Sequence, residues 1–113
     1  MADPIKITKG GVIVPEWGNG DREDGDKIKV HYRFLDFAEQ QGLLDPKELG
    51  KSFAYESKVL AAMITKIDNL SVDDGKKRDI KDGEALVHEP GLDGLAMELW
   101  LTFRNMTAVD KKK

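Results

Sequence analysis

The chain has 113 residues, 40% apolar and 35% charged, with a net charge of −3. That length supports one cooperative domain, residues 1–113, with a core of its own. The slight acidity excludes the basic surplus of a general nucleic-acid binder, and the absence of cysteine excludes disulfides, thiolate catalysis and cysteine-ligated metals.

Along the chain, Ile5, Ile7, Val12 and Val14 flank Lys9-Gly10-Gly11, which predicts a small hairpin or bulged strand closed by Pro15. Trp17 follows, and then a polar loop, residues 18–26, expected to be exposed and flexible. Ile28, Val30, Tyr32 and Phe34 alternate with Lys29, His31 and Arg33, the pattern of a strand with one core face and one wet face. Asp36 and Glu39 have the spacing of a capping box for a short helix of about residues 37–41, stopped by Gly42. Asp45, Pro46 and Glu48 signal a second helix start, with Leu44 and Leu49 spaced as a hydrophobic staple. Gly50 either ends that turn or weakens a longer helix.

A firm helix is predicted from Ser52 to Lys66, with Phe53, Val59, Leu60, Met63, Ile64 and Ile67 on its buried face. Asp73-Asp74-Gly75 is a turn, and residues 76–83 read as a polar connector anchored by Ile80. Ala85-Leu86-Val87 is too short to assign. A final helix is predicted over Leu92–Met106, and residues 108–113 are expected to be a disordered tail. The fold class is therefore α+β: a small antiparallel sheet in the N-terminal half, packed against two main helices.

Chemical signatures are sparse. Neither His31 nor His88 has a serine or acid partner at a recognisable motif spacing, so no catalytic residues are assigned. The acidic loop fails the calcium-loop test, because the position five before Gly25 is Gly20. No metal ligands and no cofactor site are expected. Lys76-Lys77-Arg78 and Lys111-Lys112-Lys113 are diluted by nearby aspartates and lack interleaved aromatics, so nucleic acid is not an expected partner. No apolar run approaches a membrane span, and Met1-Ala2-Asp3-Pro4 does not open a signal peptide, so a cytoplasmic protein without membrane attachment is expected.

The final helix carries the functional expectation. Leu92, Leu95, Ala96, Leu99, Phe103 and Met106 form one complete buried stripe, while Met97 and Leu101 point nearly opposite and Trp100 sits on the shoulder. A helix apolar on two sides is either sandwiched within its own fold or completed by another protein. Met97, Trp100 and Leu101, with Trp17, are the candidate partner-binding or self-association residues, because tryptophan and methionine suit such surfaces.

Two stretches carry a resemblance. The segment Lys29-Val30-His31-Tyr32-Arg33-Phe34-Leu35-Asp36-Phe37-Ala38-Glu39-Gln40 is the first. Residues 67–75, 80–86 and the Pro90-Gly91 turn, leading into a helix with Leu95, Glu98 and Leu99, form the second. Together they resemble small morphogenesis proteins of tailed bacteriophages, in particular tail assembly chaperones. The resemblance implies a non-enzymatic protein in the infected bacterial cytoplasm that binds apolar helical segments of tail proteins such as the tape-measure or tail-tube protein. The N-terminal hairpin, Trp17 and the acidic loop have no counterpart in that resemblance. The alternative is a small inhibitor or adaptor that binds a host enzyme through a charged surface, with Asp21–Asp26 as its natural contact.

Overall fold

The computed structural model describes residues 3–48, 50–51 and 53–106. Its centre is strand β2, Lys29–Arg33, in an antiparallel sheet of order β1-β2-β3. Alternation works as the sequence implies. Ile28 and Val30 are buried, and Lys29, His31 and Arg33 line the outer face.

Strand β1 is Gly10–Ile13 and pairs directly with β2, placing Gly11 opposite Tyr32 and Ile13 opposite Val30. The expected hairpin over residues 5–14 does not form. Ile5 and Ile7 are exposed, and the glycine pair lies within the strand rather than in a turn. A Cβ at Gly10 would stand 2.2 Å from the Tyr32 carbonyl oxygen, so close strand approach is what this glycine permits.

The loop that follows is exposed at its acids but anchored from within by Asn19 and across to Asn69. Asn19 is buried; its Nδ2 donates to the carbonyls of Pro15 (2.7 Å) and Ile28 (3.1 Å), and its Oδ1 accepts from the Ile28 amide at 2.7 Å. Arg22 also donates to the Asn69 carbonyl at 2.7 Å.

Helix α1, Phe37–Leu43, begins with the capping box formed by Asp36 and Glu39. It runs through Gly42 instead of stopping there. Pro46–Glu48 make a single 3₁₀ turn capped by Asp45, whose Oδ1 accepts from the Lys47 amide, and Gly50 ends that turn at a φ of 92°. Leu49 of the expected staple lies outside the described residues, as do Ser52 and the expected tail, residues 108–113.

Helix α2 is Ala54–Met63, shorter than predicted. Ile64–Asp68 leave the helix and become strand β3, paired with β2 through Val30 opposite Ile67. The β-branched Ile64, Thr65 and Ile67 favour extended backbone, and the second edge of β2 supplies the partner. Thr65 is the extra residue of a bulge, since His31 faces Lys66 while Tyr32 faces Ile64. The expected polar connector is also structured: β4 (Ser71–Asp73) and β5 (Lys77–Asp79) form a hairpin turning at Gly75, with Ile80 buried beside it.

Helix α3, Gly83–Val87, is capped by Asp82 and seats its first residue tightly on α2. A Cβ at Gly83 would lie 2.6 Å from the Leu60 carbonyl oxygen. Helix α4, Asp93–Arg104, buries Leu95, Leu99 and Phe103 in the shared core, with Leu92 at its N-cap. The α+β class stands: a small N-terminal antiparallel sheet packed with helices.

Candidate docking groove

The N-terminal half of α2, the α3–α4 turn and the outer side of α4 enclose an open groove of about 870 Å³. Its floor is Leu60 and Leu86, both buried. Phe53, Met97 and Trp100 form its apolar walls. Phe53 is 51% and Met97 39% exposed, whereas Trp100 is half-buried and continues into a smaller cavity lined by Tyr55, Val59 and Phe103. Arg78 of β5 reaches across to Glu89 in the turn, donating at 2.7 and 3.0 Å, and so braces the groove from behind. Those contacts raise the Arg78 pKa, Glu89 first and Asp74 with it.

The rim is acidic. Glu56 on α2 and Asp93 at the start of α4 stand on opposite walls, and neither has an ion-pair partner among the described residues. Among the described residues, no lysine or arginine lines the groove.

The four residues singled out in the sequence divide. Met97 and Trp100 share the groove. Leu101 is 45% exposed on the outer face of α4 but does not line the groove, so the exposed apolar surface continues past the groove wall. Trp17 lies on another flank of α4, packed against Gly94, where a Cβ would stand 3.0 Å from the indole nitrogen. Its backbone amide and that of Glu16 both donate to the Glu98 carboxylate, at 3.0 and 2.7 Å. Trp17 therefore fastens the N-terminal segment to α4. The exposure of Met97 and Leu101 also shows that α4 is not sandwiched within the fold.

Phe53 corrects the sequence analysis, which placed it on the buried face of α2. It is instead the N-cap residue, in the left-handed region at a φ of 61°, with its ring at the groove mouth. A bulky residue there carries strain of about 1 kcal/mol. Nothing in apolar periodicity reports this; the signal is the glycine just upstream, which breaks the helix before Phe53.

Both histidines lie near carboxylates, His31 through the fold and His88 one helical turn from Glu84. His31 Nε2 donates to Asp68 at 2.8 Å across the outer sheet face, and His88 is 3.4 Å from Glu84. A second, polar concavity of about 740 Å³ lies on this side, lined by Lys29, Lys66, Lys77 and Lys81 with Asp68 and Asp79. Among the described residues no three histidine, aspartate or glutamate side chains converge to hold a metal ion, and no helix is long and apolar enough to cross a membrane. Compared with known families, curated proteins and solved structures, the chain finds no significant match.

Proposed function

We propose that this chain is a non-enzymatic docking protein whose groove between α2 and α4 receives the apolar face of a helix from another protein. The observation that carries it is the pairing of Phe53 and Met97, both exposed, with half-buried Trp100 over a floor of fully covered leucines. Anchors at helical spacing on a partner fit such a groove, and covering it removes apolar surface from water at roughly 25 cal/mol per Å². The continuation of exposed apolar surface onto Leu101 favours a macromolecular occupant over a small ligand enclosed in the groove. On the resemblance to tail assembly chaperones, the occupant is a helical segment of a tape-measure or tail-tube protein in an infected bacterial cell. Self-association through the same face is the competing use of this surface.

The test uses the full chain and an 18-residue amphipathic helical peptide with leucine and methionine anchors at i, i+3, i+4 and i+7. Binding is read from Trp100 fluorescence in a Trp17→Phe background. Saturable binding that Met97→Glu abolishes, with an unchanged circular dichroism spectrum, supports the docking site. Unchanged affinity in a folded Met97→Glu variant removes the groove from consideration.

A further inference from the structure

Resting on that docking site, we infer that its partner is a cationic amphipathic helix, with lysine or arginine flanking the apolar anchors on both sides. The acids stand on opposing walls: Glu56 projects from α2, Asp93 opens α4, and Glu89 occupies the turn between α3 and α4. Glu89 is already satisfied by Arg78. Glu56 and Asp93 have no ion-pair partner among the described residues, and the described lining holds no lysine or arginine, only His88, which lies beside Glu84. A helix lying between the two walls therefore meets negative charge along both flanks while its apolar face meets Phe53, Met97 and Trp100. Charge of one sign around an apolar centre selects a partner of the opposite sign and speeds its approach.

The other occupants fit less well. In a two-fold pairing of copies the same patch faces itself, which brings acidic rims together. Residues 107–113 carry cations but only one sizeable apolar side chain, Val109, which is too little apolar surface for a groove of about 870 Å³.

The left-handed Phe53 bears on the docking site itself rather than on the partner's charge. Its strained backbone and half-exposed ring are both features that a covering partner would repay, since strain of this kind gathers where ligands bind.

Two helical peptides with one leucine–methionine face decide the matter, one flanked by lysines and the other by glutamates at the same positions. Their binding to the full chain is measured by fluorescence anisotropy at low and at physiological salt. The expected result is a preference of about tenfold or more for the lysine peptide at low salt, shrinking as salt screens the rim. Glu56→Lys should erase or reverse that preference and Glu56→Gln should halve it on a logarithmic scale; Asp93 is left unaltered because it sits in the first turn of α4. Equal binding of both peptides, still abolished by Met97→Glu, overturns the charge inference and leaves the docking site standing. Binding of neither peptide overturns both. Concentration-dependent dimerisation that Met97→Glu abolishes, without peptide binding, assigns the groove to a second copy and overturns the inference of a cationic partner.

Discussion

Two concave sides of this molecule differ in the kind of group they expose, mixed charge on one and apolar side chains on the other. On the sheet side, four lysines are interleaved with Asp68 and Asp79, and Asp68 holds both His31 and Lys66, at 2.8 and 3.4 Å. On the helical side, large apolar side chains stand exposed and two rim carboxylates have no partner among the described residues. Mixed charges of both signs exposed to water are well solvated whether or not they pair, and they need no partner. An apolar groove with a rim of one sign keeps an unmet interaction. On the proposed docking function, the contrast favours α2 and α4 over the sheet as the binding side.

Substitutions that test this contrast differ widely in size. Leu99, fully buried at the centre of α4's inner stripe, should cost about 2–5 kcal/mol as Leu99→Ala, lowering the urea midpoint and loosening the groove wall built on it. Gly83→Val should cost about 1–3 kcal/mol, since its side chain would collide with the Leu60 carbonyl and push α3 off α2. Asn19→Ala leaves the Ile28 amide and two carbonyls unsatisfied in a buried place and should cost about 1–3 kcal/mol by the same denaturation measurement. Met97→Glu lies at the surface and should change stability by no more than about 0.5 kcal/mol while removing peptide binding.

The smallest effect belongs to the sheet side. Asp68 titrates below the ordinary carboxylate range, chiefly because His31 donates to it, with Lys66 adding to the effect and partial burial opposing it. A carboxyl whose pKa is lowered by folding contributes fully at neutral pH, and that contribution is lost as pH falls below the ordinary carboxylate range toward the folded value. Asp68→Asn should therefore flatten the acid limb of a urea-midpoint-versus-pH curve. An acid limb identical to the parent's would show that this pair adds nothing to stability.

The sequence revealed these two sides unequally. Strict alternation made β2 legible, and the apolar stripe of α4 predicted its buried residues, but the same pattern left Met97 and Leu101 open between core and surface, and only the fold exposes them. Strand β3 was hidden because Leu60, Met63, Ile64 and Ile67 also satisfy helical spacing, so the helix pattern ran on past its true end at Met63. Hairpin β4–β5 was hidden for a different reason: Lys77–Asp79 are exposed throughout and Val72 alone is half-buried, leaving no periodicity to read. Asn19 gave no signal, as a polar residue in a polar loop becomes a buried anchor only when Pro15 and Ile28 are brought together. Half of the groove was visible through Met97 and Trp100. The other half depends on Phe53 leaving the helical wheel of α2, a matter of one backbone angle.

Amide hydrogen exchange of the full chain, with and without the lysine-flanked helical peptide, tests the central claim most directly. Docking in the groove predicts slowed exchange in the first half of α2, in the turn over residues 88–92 and in α4, with residues 66–81 on the sheet side unchanged. Protection confined to residues 66–81, or no protection anywhere at saturating peptide, would contradict the assignment of binding to the helical side.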